Sequence, residues 1–187
     1  MTTNIYMVRH AHSTYTPDEL KRPLSAEGTE EAAKVSELLI DENIEHVISS
    51  PYLRAIQTVE GLASALGQEI HIMDGFKERK LIEGGADNFE EAIQKVWTHP
   101  RFSWEGGESN RTAQERGVRA LKNVLVEYEN KNVAIGTHGN IMVLTMNYLD
   151  NQYDYEFWKK LAMPDIYKLS FEADQFVGCK RIWKDSY

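Results

Sequence analysis

The chain carries a single cysteine, Cys179, so it can form no internal disulfide, nor can that residue build a cysteine-based zinc site alone. A reducing compartment, the cytoplasm, is the expected location. No apolar run approaches the roughly 20 residues that a spanning helix needs. The opening MTTNIYMVRH has no basic stretch followed by an apolar one, so no signal peptide is expected. No internal repeat, low-complexity tract or linker rich in Pro, Gly or Ser interrupts the 187 residues. Residues 1–187 are therefore read as one domain, within the usual span of about 100–200 residues. Basic residues are the minority, 21 Lys and Arg against 29 Asp and Glu, for a net charge of −8. Such a field does not attract nucleic acid or an anionic membrane, and neither is an expected partner. A small anion could bind only where positive charge is gathered locally. With 42% hydrophobic and 27% charged residues, the composition is that of a globular chain.

Short apolar runs alternate with amphipathic ones. Asn4–Val8 (NIYMV) reads as a strand. Ser25 suits an N-cap, and Ala32, Val35, Leu38 and Leu39 follow at helical spacing. His46–Ser50 is a second strand. Pro51 suits a first helical position, ahead of a stripe of Ile56, Val59, Leu62, Ala63 and Leu66 and a stop at Gly67. Glu69–Met73 reads as a third strand, DNFEEAIQKVW as a helix, and HPRFSWEGGES as a loop. Ser109 or Asn110 caps a helix reaching about Tyr128, and Asn132–His138 is a strand buried on both faces. A helix over Asn140–Leu149 follows, then a hairpin of Ile166–Phe171 and Phe176–Trp183. This alternation predicts an α/β fold with a mostly parallel, mixed central sheet between helical layers.

Ligands of open α/β sheets bind beyond the carboxyl ends of the strands. The first strand ends in Arg9-His10, and the second in Ser49-Ser50-Pro51, with Arg54 in the next turn. The third is followed by Glu78, and the fourth ends in Thr137-His138-Gly139-Asn140. Arg54 lies about 200° around its helix from Ile56, away from the apolar stripe. Singly, each is an ordinary surface charge or a hydrogen-bonded core histidine. Together on one sheet edge they supply two guanidiniums and two imidazoles near helix N-termini, a setting for a dianion such as a phosphate monoester.

The motifs VRHAHS, LSAEG, SSPYLRAIQT, the glutamate of FKERK, GGES and GTHGN occur in the order seen in the histidine phosphatase superfamily, the phosphoglycerate-mutase-like proteins. The chain resembles that family from residue 4 to about 145. The resemblance implies a three-layer α/β/α sandwich. It implies His10 as the nucleophile that accepts the phosphoryl group and Glu78 as proton donor to the leaving oxygen. Arg9, Arg54 and His138 would hold the phosphate oxygens, and Ser13 would touch phosphate or substrate. No cofactor and no metal are implied, because the cations replace magnesium in offsetting phosphoryl charge. The family's usual glycine after the nucleophile is Ala11 here, which requires φ < 0 at that residue. Thr16 stands where many members have asparagine. Lys77, Arg79 and Lys80 are expected to face outward or toward substrate.

The expected function is phosphomonoester hydrolysis through a phosphohistidine on a small phosphorylated substrate, with mutase-type transfer as the alternative. The family's cofactor-dependent mutases are longer, with a C-terminal tail over the site, and no such tail is evident in this sequence. Two further readings compete. The His10-x-His12 pair could ligate a metal, although no acid- and histidine-rich set follows it. A non-catalytic module binding phospho-ligands or phosphoproteins is the other. The pocket wall is expected from Gly75–Gly107, whose aromatics Phe76, Phe89, Trp97, Phe102 and Trp104 are read chiefly as core.

Overall fold

The computed structural model describes residues 1–185. Its strands are β1 (Thr2–Arg9), β2 (His46–Ser49), β3 (Ile70–Ile72), β4 (Asn132–Thr137), β5 (Asp165–Glu172) and β6 (Gln175–Arg181). Its α-helices are α1 (Ala26–Leu39), α2 (Leu53–Leu66), α3 (Phe89–Thr98), α4 (Asn110–Glu127), α5 (Gly139–Leu149) and α6 (Tyr155–Lys160). One sheet runs in the order β3-β2-β4-β1-β5-β6. The β2–β3, β2–β4 and β1–β4 pairs are parallel, while β1–β5 and β5–β6 are antiparallel. The sheet is therefore mixed and mostly parallel in its first four strands, as the alternation of elements implied.

Strand β1 shows how one segment makes three layers. Its side chains alternate between faces. Ile5 and Met7 pack with Leu121, Val124, Met142 and Val143 of α4 and α5. Tyr6 and Val8 pack with Val35, Leu39, Val59 and Leu62 of α1 and α2. All four β1 residues are fully buried. A strand sealed on both faces must be apolar throughout, which is why NIYMV lacks a polar alternation.

Caps fix the helix starts. Ser25, Asn88, Ser109 and Asp154 each accept a backbone N–H from the first turn through their side chains. One expected boundary is corrected and one helix is added. Leu53, not Pro51, is the first residue of α2, with Tyr52 as its N-cap, so Pro51 lies one position before the cap. Helix α6 was not foreseen: its six residues fall below the length at which periodicity is readable, and only the Asp154 cap marks it. No helix among the described residues is long and apolar enough to cross a membrane.

Candidate active site

The carboxyl ends of β1, β2 and β4 lie side by side because those strands are neighbours in the sheet. The ladder continues one residue past each strand: His10 N donates to Thr137 O at 2.9 Å and Ser50 N to Gly136 O at 2.9 Å. Parallel register then forces His10, Ser50 and His138 onto one edge. The imidazole centroids of His10 and His138 are 5.2 Å apart, edge to face. Two histidines separated by 127 intervening residues thus share one small space.

The protonation of His10 follows from its partners. Nδ1 lies 2.7 Å from the carbonyl oxygen of Ala11, which can only accept, so Nδ1 carries the hydrogen. Arg54 Nε, which can only donate, points at Nε2 from 3.3 Å. Nε2 is therefore the unprotonated nitrogen, its lone pair accepting a long hydrogen bond from Arg54. Burial pushes the His10 pKa down to about 3, helped by Arg54, Arg9 and Arg22 and opposed by the Ala11 carbonyl. His138, completely buried, is held well below the ordinary histidine value by desolvation first and then by its cationic neighbours. Its Nε2 shares a 2.7 Å hydrogen bond with Ser50 Oγ, while Nδ1 has no partner among the described residues. Ala11 is absent from the residues with positive φ and its N–H donates to Thr58 Oγ1, so alanine is accommodated where the family has glycine.

Arg9 is positioned from behind by neutral groups. Its Nη1 donates to the carbonyls of Leu161 (2.9 Å) and Ala162 (3.0 Å), in the loop entering β5. That loop is fixed in turn by Asp165, fully buried, which accepts from Ala162 N and pairs with Arg181 at 2.8 Å. The guanidinium lies against Gly139: a Cβ there would stand 3.0 Å from Arg9 Nε and 3.1 Å from Cζ. A side chain at the first position of α5 would therefore push the guanidinium by a few tenths of an ångström. Arg54, 4% exposed, donates to Glu19 O at 2.9 Å and sits 3.3 Å from a Glu19 carboxylate oxygen, whose other oxygen pairs with Arg22. Burial lowers the pKa of both arginines.

Glu78 enters from the segment after β3. Arg116 of α4 holds that segment by donating to Gly75 O and Lys77 O, each at 2.9 Å, and Thr137 Oγ1 donates to Phe76 O at 2.9 Å. The carboxylate closes the N-terminus of α5. It accepts from Asn140 N (3.2 Å) and Ile141 N (3.1 Å), and from Arg79 N (2.8 Å). His138, the formal N-cap, makes no side-chain cap, so an acid from a distant loop supplies it.

Arg79 overturns an expectation. It is 3% exposed and points inward, donating to Asn110 Oδ1 at 2.8 Å and Asn140 Oδ1 at 3.0 Å. Two amide oxygens and the nearby charge of Glu78 make its burial tolerable, although desolvation still lowers its pKa. Lys80 faces Glu83 at 3.5 Å, on the exposed side as expected. Ser13 is half-buried in an isolated bridge with Leu24, and no described hydrogen bond joins its hydroxyl to the histidines or arginines. Thr16 Oγ1 serves a local turn, donating to Asp18 O.

His12 leaves the cluster. Its ring bonds Ser25 Oγ at 2.8 Å at the start of α1, where a Cβ on Gly28 would collide with His12 O at 1.9 Å. Among the described residues no group of three His, Cys, Asp or Glu is arranged to hold a metal ion. Of the expected site residues, His10, Arg54 and His138 meet directly, Arg9 adjoins through Gly139, and Glu78 faces them across the start of α5. Ser50, Arg79 and Asn140 were missed as site residues.

The family model of the histidine phosphatase superfamily (branch 1) matches residues 5–180, and the chain belongs to that superfamily. It is 28% identical over 142 residues to an uncharacterised phosphatase, PhoE, of Bacillus subtilis (strain 168), covering 73% of this chain and 72% of the relative. The fold is that of a mycobacterial glucosyl-3-phosphoglycerate phosphatase, with a TM-score of 0.78, 17% identity and complete coverage of both chains. It also matches the phosphoserine phosphatase of Entamoeba histolytica in complex with 3-phosphoglyceric acid, with a TM-score of 0.80 and 19% identity over 97% of this chain and 98% of that one.

Proposed function

We propose that the chain hydrolyses small phosphomonoesters through a phosphohistidine at His10, with arginines rather than a metal ion offsetting the phosphoryl charge. The observation that carries this reading is the pair of contacts on His10: Nδ1 lies against Ala11 O and Nε2 faces the donor Nε of Arg54, which leaves Nε2 the unprotonated nitrogen among cations. Nε2 attacks phosphorus, forming the P–N bond as the ester P–O bond breaks. The departing oxygen takes a proton from Glu78. Water then attacks phosphorus and gives a proton to Glu78, the P–N bond breaks, and inorganic phosphate leaves with Nε2 again unprotonated. Arg9, Arg54 and His138 bind the equatorial oxygens, where positioning and charge supply most of the rate. Ser13, three residues beyond His10, is proposed as a further contact to bound phosphate or substrate. Hydrolysis rather than transfer to a second alcohol is supported by the relatives, which are named as phosphatases.

The test is rapid mixing with a phosphate-labelled aryl ester, followed by an alkaline quench. Label on His10 that survives base and is lost in acid is the expected result. Steady turnover of the ester with His10→Ala as fast as wild type sinks the mechanism.

A further inference from the structure

His138 is fully buried, and two other rings meet it edge to face: His10 with centroids 5.2 Å apart and Tyr52 with centroids 4.9 Å apart. Tyr52 is itself loaded by the Arg54 guanidinium, whose Cζ lies 4.9 Å from the ring centroid. This packing fixes where the imidazole sits. It leaves open which ring nitrogen carries the hydrogen. We propose that Ser50 decides it: the serine hydroxyl donates to Nε2 of His138 and acts as a positioning residue that presents Nδ1–H to the bound phosphate. The inference rests on the phosphatase reading above and adds to it the residue that makes His138 a donor.

Three observations carry it. The first is the direction of the hydrogen bonds at Ser50. The backbone N–H of Tyr52 can only donate, and it lies 3.2 Å from Ser50 Oγ, so the oxygen accepts there. The hydroxyl hydrogen must then go elsewhere. Ser50 is fully buried, and His138 Nε2, 2.7 Å away, is the acceptor within reach among the described residues. A hydroxyl that gives its hydrogen to Nε2 requires a bare lone pair there. Burial and the neighbouring cations keep the ring neutral, so its own hydrogen sits on Nδ1.

The second is what this leaves over. Nδ1 of His138 is buried and meets no partner among the described residues. A buried N–H without an acceptor is costly and uncommon in native proteins, and it calls for a catalytic or ligand-binding role. With Nε2 engaged by Ser50, Nδ1 is the nitrogen available to a phosphate oxygen. The opposite tautomer would present a lone pair to that oxygen and repel it.

The third is how Ser50 is itself held. Its N–H donates to Gly136 O at 2.9 Å, extending the β2–β4 ladder one residue past β2. Its hydroxyl is fixed from the other side by Tyr52, the N-cap of α2. The sheet that delivers His138 thus also delivers the group that sets its tautomer. A donor set in advance needs no reorganisation when phosphate arrives.

Imidazole nitrogen shifts of the isotope-labelled full-length chain distinguish the two tautomers without turnover. The His138 signals are assigned by their loss in His138→Asn. In the wild type His138 is expected as Nδ1–H, and inorganic phosphate is expected to move that N–H resonance. Ser50→Ala should populate the Nε2–H form at His138 and weaken phosphate binding, read by calorimetry, by about tenfold or more. A wild-type His138 in the Nε2–H form overturns the inference, whether or not the variant folds. So does an Nδ1–H resonance that phosphate leaves unmoved, or a Ser50→Ala protein that keeps the wild-type tautomer or the wild-type phosphate affinity. Absence of a base-stable label on His10 would instead remove the phosphatase reading, and the two failures are read in separate assays.

Discussion

Acid should weaken this fold in a way that can be assigned to one side chain. In the unfolded chain His10 binds a proton near the ordinary histidine value of 6.5, whereas in the folded chain burial holds its pKa at about 3. Between those values the unfolded state carries a proton that the folded state refuses. Stability therefore falls as pH drops below 6.5 and stops falling on this account below about 3. At pH 4.5 the unfolded residue is almost fully protonated and the folded one almost fully neutral. Two pH steps at 1.36 kcal/mol each, less the small fraction already protonated at pH 7, give a loss of about 2.5 kcal/mol between pH 7 and 4.5. The figure is insensitive to the exact folded value, because pH 4.5 lies above it.

The assay is urea unfolding at pH 7.0 and 4.5, for wild type and His10→Asn. Asparagine does not titrate, so the variant should lose about 2.5 kcal/mol less than wild type over that interval, whatever its stability at pH 7. Carboxylates that titrate in the same range are common to both proteins and cancel. His138 titrates in the same direction and remains in both. Equal acid losses in the two proteins would show that His10 is not held neutral by its surroundings, and the unprotonated nucleophilic Nε2 argued above would lose its basis.

Three further outcomes follow from the contacts. Gly139→Ala places a methyl 3.0 Å from Arg9 Nε and should lower kcat/KM for a phosphomonoester about tenfold to a hundredfold, with thermal stability little changed; unaltered kinetics would detach Arg9 from the site. Glu78→Gln should lower kcat about 10²-fold or more for an alkyl phosphate and much less for para-nitrophenyl phosphate, whose leaving group needs no proton; an equal loss on both esters would contradict the proton-donor role. Asp165→Asn frees the loop whose carbonyls hold Arg9 and should weaken competitive inhibition by inorganic phosphate, while Arg181→Lys, which keeps the charge facing Asp165, should weaken it less; unchanged inhibition in both would make that loop purely structural.

Most of what the sequence reveals here comes from two periodicities and from strand ends. Strands sealed on both faces, such as NVAIGT in β4, announce a sheet between layers, and polar residues placed immediately after them mark its edge. That is why His10, Arg54 and His138 stand out in the sequence itself. What was hidden depends on approach between distant segments. Arg79 reads as one of three exposed cations in KERK, and only the asparagines of α4 and α5 reveal why it can be buried. Ser50 reads as the end of a strand, and its hydroxyl acquires a role only because β4 delivers His138 beside it. The anchoring of Arg9 by Leu161 and Ala162 carbonyls leaves no trace in residue type at all, since any residue has a carbonyl.

An acidic chain keeps a cationic site by choosing how each arginine is held. Arg116 is gripped by both oxygens of Glu108, at 2.8 and 3.0 Å, and its charge is offset within the protein. It serves as a strut, suspending the segment that carries Glu78. Arg9 is held by two carbonyls instead; Glu78 is the acid that acts on it most strongly, and Asp165, the next, is already engaged by Arg181. Carbonyl dipoles orient a guanidinium without cancelling its charge, and the buried setting strengthens what remains. Arg54 lies between these cases, with one carbonyl and one half-exposed carboxylate. The positive charge left at Arg9 and Arg54, beside a histidine that burial keeps neutral, would suit the dianionic phosphate of the proposed substrate. Net charge describes how the molecule meets its solvent; the acceptors chosen for each arginine decide what the site can hold.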